Sequence, residues 1–250
     1  MPSYLVTGSS RGLGLGFATE LLKRGNSTVI ATARNTAKSQ GLQELRKNYP
    51  DDRLVLLDMD VMDPESVNSA AESVLKLLPS GLDNLVSNAG ISYSPLKSLD
   101  EMDLEEYKDE ILFNVVAPVT LFRAFVPLIR KSQDKKILII TSTMGSIELA
   151  EYTPNMGNAY SVSKAALNMV GRKYSTVLKN DGIITALLHP GLVGATDMGS
   201  SVMGWMTKNA PTWPSISIEQ SAADCMSLLD GLIMEQNGGY FNHDGTKLPW

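Results

Sequence analysis

Short uninterrupted apolar runs alternate along the chain with longer stretches whose apolar residues recur every three or four positions. Tyr4-Leu5-Val6-Thr7, Thr28-Val29-Ile30-Ala31-Thr32, Leu54-Val55-Leu56-Leu57, Leu82 to Val86, Ile137 to Ile140 and Ile183 to Leu188 are the apolar runs. Their length and β-branched content predict strands buried on both faces. Leu13 to Lys23, Ala37 to Asn48, Leu104 to Lys131, Asn158 to Leu178 and Ile218 to Leu229 carry helical spacing. Gly25 is a helix stop, and Asp63-Pro64 opens a further helix with Asp as N-cap and Pro at the first position. Pro118 predicts a bend in the long fourth stretch, and Gly239 to Asn242 reads as a short last strand. Strict alternation of β and α predicts a doubly wound parallel sheet of about seven strands with helices on both faces. No repeat or linker divides the chain, so residues 1–250 read as one domain. One stretch, 191–217, shows no period; it holds four Gly, two Pro, three Met and two Trp. It is expected to be an irregular loop covering a binding cleft.

The 250 residues are 43% hydrophobic, enough for one large core, and carry a formal charge of −5. An acidic chain without a dense basic patch is a poor fit to nucleic acid; Arg130-Lys131 to Lys135-Lys136 reads as a solvated turn. Cys225 is the single cysteine and sits in a helical pattern. It excludes an intrachain disulfide and fits a small core residue in a reducing compartment. The first strand begins near Ser3, which leaves no room for a leader, and no apolar run is expected to approach the roughly 18 residues of a membrane span. A cytoplasmic protein without membrane partners is the expectation.

Thr7-Gly8-Ser9-Ser10-Arg11-Gly12-Leu13-Gly14 joins the first strand to the first helix. Glycines there let the backbone turn and approach a pyrophosphate, while the helix N-terminus supplies amide donors. The spacing Gly-x-x-x-Gly-x-Gly in a strand–turn–helix setting predicts a dinucleotide site on a Rossmann-type fold. The end of the second strand separates NAD from NADP, because an acid there would hold the ribose 2′-hydroxyl. Thr32-Ala33-Arg34-Asn35 has no acid. Arg34, with Arg11 from the phosphate loop, suits a 2′-phosphate, so NADP(H) is the expected cofactor.

Tyr160 and Lys164 stand four residues apart, on one face of a helix. A cation beside a phenol favours the phenolate, so Lys164 is expected to lower the Tyr160 pKa toward neutrality. Ser142 lies upstream at the end of an apolar run.

In these residues the chain resembles the short-chain dehydrogenase/reductase family, in its single-domain form. The resemblance spans essentially the whole chain: Thr7 to Gly14, Asp60-Val61, Ser87-Asn88-Ala89-Gly90, Asn114, Ser142, Tyr160, Lys164, Pro190-Gly191 and Thr196 fall in the family's order. His189-Pro190-Gly191 with Thr196-Asp197-Met198-Gly199 resembles the branch of Sniffer-type carbonyl reductases and C-factor-like proteins. The ending Asp244 to Trp250 is similar to fungal norsolorinic acid ketoreductases. The resemblance implies a catalytic set of Asn114, Ser142, Tyr160 and Lys164. Tyr160 would protonate the carbonyl oxygen, Lys164 would tune it and bind the nicotinamide ribose, Ser142 would hold the substrate oxygen, and Asn114 a water linking Lys164 to solvent. It implies cofactor contacts from Gly8, Ser10, Arg11, Gly12, Leu13, Gly14, Arg34, Asp60, Val61, Asn88, Ala89, Gly90, Pro190, Gly191, Val193 and Thr196, besides Tyr160 and Lys164. Two departures are visible. Leu192 to Ala195 is one residue longer than the family's spacing before Thr196, and Ser142 to Tyr160 is wider, with an inserted loop (Ile147 to Gly157) expected beside the pocket.

The implied activity is NADPH-dependent reduction of a small carbonyl substrate. A non-catalytic NADP(H) sensor and an NAD-dependent alcohol dehydrogenase are the alternatives; the complete set opposes the first and the absent acid at position 33 the second. Met198, Met203, Trp205, Met206 and Trp213 point to an apolar cover and an apolar or aromatic ketone, diketone or polyketide-like substrate. The acidic run Asp100 to Glu110 reads as a solvated helix face, His189 as part of a structural turn, and no metal site is expected. Family analogy suggests a homodimer or homotetramer.

Overall fold

The computed structural model describes all residues, Met1–Trp250. Seven strands form one sheet: β1 (Ser3–Val6), β2 (Thr28–Ala33), β3 (Leu54–Asp58), β4 (Asn84–Ser87), β5 (Lys136–Ile140), β6 (Ile184–His189) and β7 (Tyr240–Asn242). Their order is β3-β2-β1-β4-β5-β6-β7, and every neighbouring pair is parallel. Chain order reverses between β1 and β4, so the crevice beyond their carboxyl ends is where this topology binds ligands.

Two apolar layers sandwich the sheet. On one face α1 (Gly12–Lys23) and α8 (Ile218–Gly231) bury Phe17, Leu21, Leu22, Cys225 and Met226 against Val6, Ala31, Leu138 and Leu188. On the other, α3 (Pro64–Leu77), α5 (Ala117–Lys131) and α6 (Asn158–Leu178) bury Val67, Phe122, Phe125 and Leu167 against Leu5, Leu85 and Ile139. Alternate residues of each strand feed opposite layers, which is why the strands read as unbroken apolar runs. Asp63 caps α3 with Pro64 behind it, as expected.

Four expectations are corrected. The second helix, α2 (Gln40–Asn48), starts three residues later than Ala37, because Ser39 is its N-cap. The long fourth stretch is α4 (Leu104–Ile111), a π turn (Leu112–Val116) and α5. The wide turn absorbs the hydrogen-bond mismatch just before Pro118, which sits in the first turn of α5 where its missing N–H costs little. This rod also has an 18-residue window of mean hydropathy 1.8, so a stretch of span length and composition does exist. Its apolar stripe is interleaved at helical period and packs on the sheet through Leu121, Phe122, Phe125 and Ile129. Finally, 191–217 is not irregular throughout, since Asp197–Asn209 forms α7. Gly199 and Gly204 dilute its apolar period, but Thr196 caps it and Met206 is buried. Leu192 and Ser215 pair as an isolated bridge, closing the excursion at its base.

Candidate active site

The phosphate loop is built on backbone contact. Gly8 and Gly12 have φ of +69° and +57°, in the left-handed region glycine enters without strain. A Cβ on Gly14 would lie 2.1 Å from the Gly8 carbonyl oxygen. Thr7 and Asn88 lock the loop to the end of β4: the Asn88 and Ala89 amides donate to Thr7 Oγ1 at 2.9 and 3.0 Å, and Asn88 Nδ2 donates to the Thr7 carbonyl at 2.8 Å. Leu13 packs behind it on the core. A loop held open this tightly, at a helix N-terminus, fits the pyrophosphate of a dinucleotide.

At the end of β2, Ala33 is buried and Arg34 is exposed, with Asp58 as the Ala33 register partner on β3. That carboxylate is committed: Asp58 Oδ1 accepts from the Thr36 amide and hydroxyl, both at 2.7 Å. Ser39 Oγ donates to the Ser10 carbonyl at 2.9 Å and ties this turn to the phosphate loop. Arg11 faces the other way, its Nε 3.0 Å from Asp197 Oδ2 at the start of α7. Both side chains are more than three-quarters exposed, so the pair is weak and exchangeable. Asp60 turns the chain after β3 by accepting from the Met62 amide, and Val61 packs on the core.

Ser142, Tyr160 and Lys164 converge beyond β5. Ser142 is buried and caps a 3₁₀ turn, Thr143–Gly145. A Cβ on Gly145 would lie 2.7 Å from the Lys164 backbone, so glycine lets α6 dock directly on this turn. Lys164 is 3% exposed, its Nζ donates to the Ile140 carbonyl at 3.1 Å, and it lies 5.4 Å from the Tyr160 ring centroid. Burial lowers its pKa to about 8, partly opposed by Glu110. Burial also raises the Tyr160 pKa above its usual value, against the lowering effect of the Ser142 hydroxyl. The expected lowering by Lys164 is opposed here by desolvation, the largest influence on this phenol.

Asn114 lies in the π turn, fully buried. Its Oδ1 accepts from the Ile91 amide at 3.0 Å, and its Nδ2 donates to the Ile91 carbonyl at 2.8 Å and Ser163 Oγ at 3.0 Å. Its side chain is thus spent on fixing the β4 loop to α6. A Cβ on Gly90 would lie 3.4 Å from Asn114 Oδ1 and 3.5 Å from Lys164 Nζ, so Gly90 sits between the two.

The third wall follows β6. The Pro190 carbonyl accepts from Ser221 Oγ at 2.6 Å, and Gly191 has φ +84°. The Val193 carbonyl accepts from Thr196 Oγ1 at 2.9 Å, and Thr196 Oγ1 accepts from the Gly199 amide at 3.0 Å. The Thr196 methyl is 3.6 Å from where a Gly12 Cβ would stand, so the extra residue before Thr196 still leaves it beside the phosphate loop. His189 is buried, and burial, then His243, drives its pKa down to about 3, which keeps it uncharged.

Several supporting residues lie outside the motifs. Tyr240 Oη donates to the Ser142 carbonyl at 2.5 Å, and Asn168 receives the Thr141 hydroxyl at 2.6 Å while donating to the Gly145 carbonyl at 3.1 Å. Glu110 is the larger correction. Far from lying on a solvated face, it is 2% exposed, with Oε1 accepting from the Tyr93 amide at 2.7 Å and Oε2 without any partner. Its spacing of four from Asn114 was the available signal.

The family model described as short chain dehydrogenase matches residues 3–207, and the chain belongs to the short-chain dehydrogenase/reductase family of oxidoreductases. It is 33% identical over 257 residues to a short chain dehydrogenase of Penicillium aethiopicum, covering 100% of both chains. Among solved structures it is similar to the NADPH-bound carbonyl reductase from chicken fatty liver (34% identity, TM-score 0.86, covering 100% of this chain and 99% of that one). It is also similar to the carbonyl reductase Sniffer of D. melanogaster (30% identity, TM-score 0.87, covering 100% of both).

Proposed function

We propose that the protein is an NADPH-dependent carbonyl reductase acting on an apolar or aromatic ketone or aldehyde. The observation that carries this reading is the Ser142–Tyr160–Lys164 cluster beyond the sheet switch point, beside a glycine loop that fits a dinucleotide. Buried Ala33 next to exposed Arg34 favours a 2′-phosphate over a free ribose diol, and the chicken carbonyl reductase is described as NADPH-bound. When bound, the dinucleotide supplies the hydride.

The protein's own groups handle the oxygen. Ser142 donates a hydrogen bond to the carbonyl oxygen and resists its drift as charge develops. Tyr160 gives its proton to that oxygen as it becomes an alkoxide, a far stronger base than a phenolate. Lys164 then faces the new phenolate with its ammonium. The ring of Trp205 and the exposed faces of Met198 and Trp213 supply apolar contact, while Met206 packs inward.

Tyr160→Phe should leave NADPH affinity intact and lower turnover by roughly 10²–10⁴. A folded variant with near-normal turnover would remove Tyr160 from this role.

A further inference from the structure

The amino ends of β1, β4 and β5 lie at the end of the sheet opposite the cofactor crevice, and a second cavity opens to solvent there. Its volume is about 290 Å³, close to the ~300 Å³ at which small-molecule sites begin. Tyr4, Asn84 and Lys136 are register partners on the three strands and form one rung of its wall. The ends of α1 and α8 supply Arg24 and Asp230, and the turn before β5 supplies Asp134.

Asn84 is out of place by composition. It stands in a central parallel strand, 2% exposed, where apolar side chains are the rule. Its Nδ2 makes one long hydrogen bond, 3.3 Å to the Ser3 carbonyl, and its Oδ1 accepts none from the protein. The sealed polar orphans of the fold are Glu110 Oε2, Thr185 Oγ1 and His189 Nδ1. Asn84 Oδ1 is not among them, so it keeps surface open to the cavity. An amide oxygen this enclosed takes a donor from water or from a ligand.

The other polar groups are mostly spent on one another. The Asp230 carboxylate accepts from Tyr4 Oη at 2.8 Å and from Arg24, and its backbone carbonyl accepts from Lys136 Nζ at 2.7 Å. Asp134, exposed at the rim, enters no such pair. Both helices end here, and their C-terminal carbonyls add negative potential. The site therefore offers a neutral acceptor in its depth and a carboxylate at its rim. An anion would meet Asp134 and two helix ends of its own sign.

We propose that this cavity is a binding site for a small hydroxylated amine of amino-sugar size, with a hydroxyl donating to Asn84 Oδ1 and the ammonium at Asp134. The ligand and the dinucleotide occupy opposite ends of the same strands and bind together.

Titration calorimetry of the purified protein with D-glucosamine tests this. Binding should be saturable, and saturating NADPH should leave it unchanged. Asp134→Ala, a surface change, should weaken it about fivefold, the value of an exposed charge pair. Asn84→Leu should abolish saturation. Because that change falls on a buried strand, Asn26→Trp gives a second arm: it obstructs the exposed rim, leaves the strands untouched and should also abolish saturation. Glucose, which lacks the ammonium, and butylamine, which lacks the hydroxyls, should each bind more weakly than glucosamine. Absence of saturable glucosamine binding, displacement by NADPH, or affinity unchanged in Asn84→Leu and Asn26→Trp overturns the proposal. Glucose binding as tightly as glucosamine overturns it as well.

Discussion

At the scale of single residues, cofactor choice turns on Ala33 and Arg34. Arg34→Ala should weaken NADPH binding on the order of tenfold or more and leave NADH almost untouched. Adding Ala33→Asp should reverse the preference, since a carboxylate binds the ribose diol and repels the phosphate. Dissociation constants for both cofactors at fixed ionic strength decide this, and equal wild-type affinity for the two would refute it. Gly14→Ala tests the phosphate loop, because its methyl would collide with the Gly8 carbonyl. Residues whose chemistry follows from type and spacing were legible in the chain: Gly8, Gly12 and Gly14, and the Tyr160–Lys164 pair. What depends on burial was not. Glu110 looks like one more acid in an acidic run, and the direction of the Tyr160 pKa follows from desolvation that no neighbouring letter encodes.

Among elements, α7 is the instructive case. Its cap, Thr196, was visible, but Gly199 and Gly204 hid its period. The two glycines have opposite roles. A Cβ on Gly199 would lie 2.0 Å from the Val193 carbonyl oxygen, whereas a Cβ on Gly204 meets nothing within 4 Å. Gly204→Ala should therefore stabilise the protein by about 0.5–1 kcal/mol, and Gly199→Ala should destabilise it. Thermal melts of the two variants check both signs. The π turn was illegible for a related reason. Pro118 announces a disturbance, yet a bent helix and a widened turn are both compatible with the same sequence; packing around Asn114 selects the second. Trp205→Ala should raise KM for bulky apolar ketones more than for small ones, and equal effects would make Trp205 structural.

For the whole molecule, the site is maintained against the stability of the fold. Lys164 falls from 10.5 to about 8, a difference of about 3 kcal/mol at most. A depressed lysine contributes most when neutral, so its penalty is full below about pH 8 and fades toward pH 10.5. Lys164→Met should melt several degrees above wild type at pH 7 and lose that advantage as pH rises; an advantage independent of pH would point to packing instead. Leu112, Val116, Val162 and Met169 are exposed on the π turn and α6.

The far end of the chain reaches the same site by a short route. The Trp250 carbonyl accepts from the Glu148 amide at 2.9 Å, its ring lies 5.3 Å from the Tyr240 ring, and Tyr240 holds the Ser142 carbonyl. Trp250 is thus a buttress for the catalytic turn, although it takes no part in either core layer. Trp250→Ala should lower turnover while melting temperature and cofactor affinity barely move; a melt that falls along with activity would make Trp250 a general packing residue.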